Sequence, residues 1–380
     1  MAAALIALVV LVLLAGAAVL VVVLTKPGAA PGPAPGTNFD PLHQSGLALG
    51  VVGKHFKSST GTAKPASCRA LLQTNLFYWD WSSDPGLAAS DLSPDEQKLL
   101  AARFVPMLWG VSSPPDGAPA SLLAPLYTDL MLYNEPDHFG PPPHGFGCGQ
   151  DTLSSGTFAL EFSILPDLVT DSKKLIDNFK KDTPKNRIWA PALANARGTA
   201  GKATWDCDGT KQVDSGGCSL TGVACAPATT WTACSPANSA CMCECAGWLS
   251  QWQTKIGDSW AQVDVLVFHC YASKAEDVIK NFTTITEKWP TKDIAITEMA
   301  MMNADLNTPA GVEAVKDFMT TVVTQCRALP RIKFLAWFSI DTWAGWDTWN
   351  PVQYSALFNT YGEPTEIGKH WIELAAPSGV

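Results

Sequence analysis

The stretch "VDVLVFHCY" (263–271) is apolar almost throughout and becomes more polar only toward its end. Such a run is typical of a parallel β-strand that is covered on both faces. The stretch "DIAITEMA" (293–300) has the same character, and the amphipathic segment "GVEAVKDFMTTVVTQCRAL" (311–329) has the pattern of a helix. Alternation of such strands and helices predicts the α/β class, with a largely parallel sheet.

Short apolar runs recur along most of the chain, with longer helix-like stretches between them. The predicted strands cover residues 47–53, 76–81, 104–110, 130–135, 187–194, 263–271, 293–300 and 333–340. Eight strands alternating with helices predict a (β/α)8 TIM barrel, whose active site lies at the carboxyl ends of the strands. A doubly wound open sheet is the alternative, but no glycine fingerprint follows a strand to indicate a dinucleotide site.

Composition narrows the class of ligand. The net charge of −9, with lysine and arginine scattered along the chain, argues against a nucleic-acid surface. The 15 tryptophans exceed what core packing usually needs. Because tryptophan also stacks on sugars and fills interfaces, the surplus indicates a carbohydrate cleft.

The N-terminal part differs sharply from the rest of the chain. Residues 2–24 carry no charge and are numerous enough to cross a bilayer as a helix, so we expect a signal anchor, with a cleaved signal peptide as the alternative. Residues 25–44 form a Pro/Gly-rich linker, and 45–375 form the predicted barrel domain. We therefore expect an extracellular or cell-surface protein, anchored if 2–24 are retained.

Cysteines are concentrated in one segment. Seven of the 11 fall between Cys207 and Cys245, within an insertion (197–247) after the fifth predicted strand. In an oxidising compartment this pattern predicts disulfides. A metal site is the alternative, but closed zinc sites usually show two spaced pairs of ligands. Since the count is odd, at least one thiol lacks an intrachain partner, and Cys270 is the candidate. The sequence "NFT" at Asn281 matches a glycosylation acceptor.

Two glutamates stand at predicted strand ends. Glu135 closes the fourth predicted strand, in "LMLYNE", and Glu298 lies near the end of the seventh. Glycoside hydrolysis requires two carboxyl groups at one site. One protonates the leaving oxygen, and the other either attacks the anomeric carbon or activates a water molecule. The alternatives are an ordinary strand-to-turn exit for Glu135 and an ion pair with a nearby cation for Glu298.

Several passages, in order, resemble the glycosyl hydrolase catalytic core of glycoside hydrolase family 128: "FYWDW", "FVPMLWG", "YNEPD", "VDVLVFHCY", "AITEMA" and "FLAWFS". The resemblance runs from about Gly46 to Phe338. It implies a retaining endo-β-1,3-glucanase on a TIM barrel. By position, it implies that Glu135 is the acid/base, that Glu298 is the nucleophile, and that Asn134 contacts the substrate near its 2-hydroxyl.

Further substrate contacts are predicted at the same rim. His269 and Tyr271 share one face of the sixth predicted strand and would orient Glu298 or the sugar, unless they are a buried core pair. Tryptophans at or near strand ends, and in the loop after the eighth predicted strand, are candidates for stacking on a glucan. They are Trp81, Trp109, Trp337, Trp343 and Trp346.

Two segments depart from the family pattern, namely "HFGPPPHGFGCG" (138–149) after Glu135 and the insertion 197–247. Both would lie on the catalytic face and leave substrate length and linkage open. We predict a monomeric retaining endo-β-1,3-glucanase, acting on β-glucan without a metal or organic cofactor. The alternatives are a non-catalytic glucan-binding wall protein on the same barrel and a retaining β-glycanase of other linkage specificity.

Overall fold

The computed structural model describes eight parts of the chain, to which the structural statements below refer. They are residues 47–53, 63–88, 90–108, 123, 125–135, 166–193, 245–340 and 355–376. The apolar segment 2–24, the linker 25–44 and residues 197–244 of the cysteine-rich insertion lie outside them. Among the described residues, no helix is both long and apolar enough to cross a membrane.

Seven parallel strands form one sheet in the described part of the chain, in the order β2-β1-β7-β6-β5-β4-β3. The strands are β1 (Ala48–Val52), β2 (Phe77–Trp79), β3 (Asp129–Met131), β4 (Arg187–Leu193), β5 (Val263–Ala272), β6 (Asp293–Met301) and β7 (Ile332–Trp337). All ladders in this sheet are parallel, as the near-continuous apolar runs predict.

The described part of the third predicted strand, residues 104–108, forms isolated bridges instead of a regular strand. Phe104 bridges to Tyr78 of β2, and Met107 bridges to Met131 of β3, so this segment contacts both edges of the sheet. Pro106 lies between the two bridges and has no N–H to donate, which interrupts a regular ladder. Because one segment joins both edges, the curled sheet has the arrangement of a (β/α)8-like barrel.

Helices follow the strands and form the outer layer. They are α1 (Pro65–Leu72), α2 (Pro94–Ala101), α3 (Pro166–Lys180), α4 (Cys245–Ile256), α5 (Ala275–Lys288), α6 (Pro309–Arg327) and α7 (Glu366–Ala375). Local sequence sets where they begin. At α2, Ser93 and Glu96 form a capping box, with Pro94 in the first turn, which satisfies backbone N–H groups that a helix start leaves open.

The strands pack side chains on an inner and an outer face. Inside, Phe334 of β7 meets Trp189 of β4 with ring centroids 5.5 Å apart, although these strands are not neighbours in the sheet. Gly50 of β1 makes room for Phe334, since a Cβ there would lie 2.6 Å from its ring. Outside, Phe268 of β5 packs against Phe282 of α5. His269, the next residue along β5, therefore faces the interior.

Cys270 and Asn281, which the sequence predicted to be a thiol without an intrachain partner and a glycosylation acceptor, are both buried. Cys270 carries a buried thiol, as do Cys68 and Cys326, and burial raises the pKa of the Cys326 thiol to about 12. The prediction that Asn281 is a glycosylation acceptor is wrong, because its side chain is buried within α5. An acceptor asparagine has to be exposed on the surface.

Candidate active site

Glu298 points into the barrel because β6 contains one extra residue. Phe268 and His269 are consecutive in β5, but their partners in β6 are Ile296 and Glu298, so Thr297 is skipped. The ladder between β6 and β7 shows an extra residue in the same place. This is a β-bulge, which re-aims the side chains that follow it. Simple alternation from Ile296 would turn Glu298 toward the helices, and the bulge places it in register with His269.

Glu135 follows β3 in an unusual backbone conformation. Its φ is +45°, in the left-handed region that non-glycine residues rarely adopt. A left-handed conformation costs such a residue about 1–2 kcal/mol. The backbone N–H of Glu135 donates to the carbonyl of Ala192 in β4 at 2.7 Å, which holds this conformation. Strain of this kind is retained mainly where the position of a side chain matters.

The two glutamates meet at the strand ends with His269 and Tyr271. Nδ1 of His269 lies 2.7 Å from Oε1 of Glu135 and 3.5 Å from Oε2 of Glu298. The Tyr271 hydroxyl donates to Oε2 of Glu298 at 2.5 Å. Burial, the Glu298 carboxylate and, more weakly, Glu135 raise the pKa of Tyr271 well above its ordinary value. The phenol therefore stays protonated and remains a donor to Glu298.

His269 places Nδ1 at hydrogen-bonding distance from Glu135. Its side chain is 0% exposed, so no bulk water competes for Nδ1. When Glu135 is ionised, a protonated Nδ1 donates to it, and when Glu135 is protonated, an unprotonated Nδ1 accepts from it. The contact supports both states of Glu135, which is what a group alternating between acid and base requires.

Aromatic side chains surround this cluster. Trp79 stacks on His269 with centroids 6.2 Å apart and an angle of 28° between the rings. Trp81, which is partly exposed, contacts Trp79 at 5.6 Å and Phe338 at 6.4 Å. Phe338 in turn contacts Tyr271 at 5.8 Å. The structure thus brings predicted Trp81 to the site, together with Trp79 and Phe338, which were not predicted.

Other predicted tryptophans do not join the described cluster. Trp337 is 0% exposed, donates from Nε1 to the Ser355 carbonyl at 2.7 Å, and packs against Phe318 of α6 and Trp371 of α7. Trp337 therefore faces the helices, and a sugar bound at the site could not reach it. Trp109, Trp343 and Trp346 lie outside the described residues.

Asn134 lies beside Glu135 with an unsatisfied amide. Its side chain is 2% exposed, and neither Nδ2 nor Oδ1 has a hydrogen-bond partner among the described residues. Leaving a buried polar group unpaired costs about 1–3 kcal/mol. A polar ligand that donates and accepts, such as a sugar hydroxyl, would remove this cost.

The spacing of the ligand atoms bears on both chemistry and metal binding. One oxygen of each glutamate and a nitrogen of His269 all lie within 4.8 Å of one another. Such a set could hold a divalent transition metal. However, the Tyr271 hydroxyl already donates to Glu298, and Nδ1 of His269 lies at hydrogen-bonding distance from Glu135. An approach of one oxygen from each glutamate to within 4.8 Å is compatible with the roughly 5–5.5 Å between carboxyl groups that retaining glycosidases show.

Residues 220–371 match a family model described as the glycosyl hydrolase catalytic core. This range contains β5, β6 and β7, and with them His269, Tyr271 and Glu298. Glu135 precedes it. No curated protein matches the sequence.

Solved structures of glycoside hydrolase family 128 are similar to this chain. An exo-β-1,3-glucanase of subgroup V from Cryptococcus neoformans aligns at a TM-score of 0.51 with 16% identity, covering 87% of this chain and 99% of its own. An endo-β-1,3-glucanase of subgroup IV from Lentinula edodes aligns at 0.50 with 13% identity, covering 86% and 99%. A subgroup VII oligosaccharide-binding protein from Trichoderma gamsii aligns at 0.48 with 13% identity, covering 89% and 96%. At these identities the similarity concerns the fold, and at that level the predicted resemblance to family 128 is confirmed.

Proposed function

We propose that this chain, which carries a glycosyl hydrolase catalytic core on a family 128 fold, is a retaining endo-β-1,3-glucanase. The observation that supports the proposal most strongly is the approach of Glu135 and Glu298, with His269, to within 4.8 Å of one another. Both are buried at the carboxyl ends of strands, where barrel enzymes carry their active sites. The proposal for β-1,3-glucan rests on the sequence resemblance and on the names of the similar structures.

In the proposed reaction, Glu135 starts as the acid and Glu298 as the nucleophile. Glu298 attacks the anomeric carbon while protonated Glu135 gives its proton to the leaving oxygen, which yields a glycosyl–enzyme ester. The Tyr271 hydroxyl donates to Oε2 of Glu298 and so orients the attacking carboxylate. Glu135, now ionised and in contact with His269, then takes a proton from the water that hydrolyses the ester.

Substrate binding is assigned to groups around this pair. We propose that Asn134 hydrogen-bonds the sugar near its 2-hydroxyl, which fits its buried and unsatisfied amide. Trp81 would stack on a neighbouring glucose, since it contacts the cluster and remains partly exposed. Trp109, Trp343 and Trp346 remain proposed contacts on sequence grounds alone.

The remaining organisation is proposed from the sequence. We expect a complete (β/α)8 barrel over 45–375, an insertion (197–247) held by disulfides, and a monomer without a bound metal or cofactor. Residues 2–24, with their uncharged and apolar composition, would direct the protein to the cell surface or outside the cell.

The test is a panel of soluble polysaccharides, comprising β-1,3-glucan, mixed-linkage β-glucan and β-mannan. We expect cleavage of β-1,3-glucan to a ladder of oligosaccharides, and no cleavage by Glu135→Gln or Glu298→Gln. Glu313→Gln is the matched control, because Glu313 is an exposed residue of α6 that pairs with Lys316. Binding of β-1,3-glucan by wild type without cleavage would instead support a glucan-binding protein. Preferential cleavage of mannan would contradict the proposed specificity for β-1,3-glucan.

A further inference from the structure

We propose that Trp79 is a positioning residue that holds both glutamates of the proposed active site, through the β6 bulge on one side and His269 on the other. The inference rests on the proposed hydrolytic function. Trp79 lies at the end of β2 and is 0% exposed, so it does not stack on a sugar itself. Two contacts carry the argument, one made by its indole N–H and one by its ring.

The N–H contact stabilises the bulge that aims Glu298. Nε1 of Trp79 donates to the backbone carbonyl of Thr297 at 2.9 Å, and both groups are buried. Thr297 is the extra residue in β6, and a bulge disrupts the ladder where it occurs. A buried carbonyl needs a partner, and the indole supplies one. Trp79 therefore favours the bulged register over the regular one.

The register decides where the proposed nucleophile points. Ile296 pairs with Phe268, which faces the helices, so a regular strand would also turn Glu298 outward. A slip of one residue moves a side chain to the opposite face of a sheet. With the bulge in place, Glu298 faces inward and reaches the Tyr271 hydroxyl at 2.5 Å. The Trp79 N–H thus acts on Glu298 through the backbone of the residue before it.

The ring contact acts on the other glutamate. The Trp79 ring is stacked on His269, and Nδ1 of His269 lies 2.7 Å from Oε1 of Glu135. Because the ring restricts the plane of the imidazole, it also restricts the direction in which Nδ1 meets Glu135. One buried side chain therefore fixes the orientation of both partners, the nucleophile through a hydrogen bond and the acid/base through packing.

A substitution that removes only the N–H tests the first contact. Replacing Trp79 by β-(3-benzothienyl)alanine puts sulfur in place of N–H and keeps the shape of the ring. Trp371 is the matched control, since its buried Nε1 donates to the Gly50 carbonyl at 3.0 Å and it lies in α7, away from the cluster. We expect kcat on β-1,3-glucan to fall about tenfold or more for the Trp79 variant, with KM nearly unchanged, and kcat of the Trp371 variant to stay at the wild-type value.

Further readouts separate positioning from a loss of stability. A dinitrophenyl β-glucoside needs no acid catalysis, so its slow cleavage by the Trp79 variant would locate the defect at Glu298. Equal kcat values for the two variants would overturn the inference. If wild type cleaves no glucan, the proposed function fails. The positioning role of Trp79 can then still be tested by a crystal structure of the Trp79 variant. The inference predicts that Glu298 leaves Tyr271 in that structure, and an unchanged contact would refute it.

Discussion

Replacing Tyr271 by phenylalanine removes a single hydroxyl from the buried cluster. That hydroxyl donates to Oε2 of Glu298 at 2.5 Å, and its raised pKa keeps it a donor at acidic and neutral pH. Without it, the ionised and correctly aimed state of Glu298 loses a charge-assisted hydrogen bond in a buried site. Rotated or protonated states of Glu298 do not depend on this bond and become more populated.

The size of the effect follows from the type of hydrogen bond. A bond to a charged group is worth about 1.5–3 kcal/mol. At about 1.36 kcal/mol per factor of ten, its loss lowers the population of the competent state by between about 10-fold and 150-fold. Because kcat/KM is proportional to that population, we expect it to fall by the same factor on β-1,3-glucan oligosaccharides.

Initial rates under subsaturating substrate measure this change, and Tyr133→Phe is the matched control. The Tyr133 hydroxyl also donates to a carboxylate, Asp171 of α3, at 2.8 Å, but this pair lies on the helix side of the sheet. We expect Tyr133→Phe to lose about 1.5–3 kcal/mol of unfolding free energy and to keep the wild-type kcat/KM. Equal kcat/KM values for Tyr271→Phe and wild type would refute the role given to Tyr271.

Three further results are expected. Burial raises the pKa of Tyr78, Tyr133 and Tyr271 well above 10.0 in the folded protein, so above pH 10 only the unfolded chain loses these protons. The contribution of these three tyrosines to the unfolding free energy should then fall by about 4 kcal/mol per pH unit above pH 10, and denaturant titrations that give a constant value from pH 9 to about 11 would contradict this. Trp81→Ala should raise KM for glucan oligosaccharides about fivefold, from about 1 kcal/mol of lost stacking, and an unchanged KM would remove Trp81 from the binding surface. Dialysis against a chelator should leave hydrolysis unchanged, because the side chains of His269 and Tyr271 already contact the two carboxylates, and activity that returns only with added metal would contradict this prediction.

The strands predicted most accurately from the sequence are the two longest apolar runs. Residues 263–271 and 293–300 are long apolar runs, and both become strands within about one residue of the predicted ends. The run 104–110 looks equally apolar, but Pro106 lacks the N–H that a regular ladder needs, so the described residues 104–108 form only isolated bridges. Apolar composition indicated burial there, and it could not reveal the broken pairing.

The directions of side chains were harder to predict than the strands. Period-two alternation correctly placed His269 and Tyr271 on one face. It could not place Glu298, because the bulge at Thr297 shifts the phase of β6 and arises from long-range pairing. Trp337 was expected at the rim. In a strand that is apolar on both faces, the sequence does not show which residues point into the barrel, and Trp337 in fact packs against the helices.

The central claim is that Glu135 and Glu298 work as acid/base and nucleophile of a retaining mechanism. The most direct test is proton NMR of the anomeric signal during early hydrolysis of a β-1,3-linked glucohexaose, before mutarotation. With the two carboxylates this close together, the account predicts that the new reducing end appears first as the β-anomer. Initial appearance of the α-anomer would contradict the account, because inversion leaves no role for Glu298 as a nucleophile.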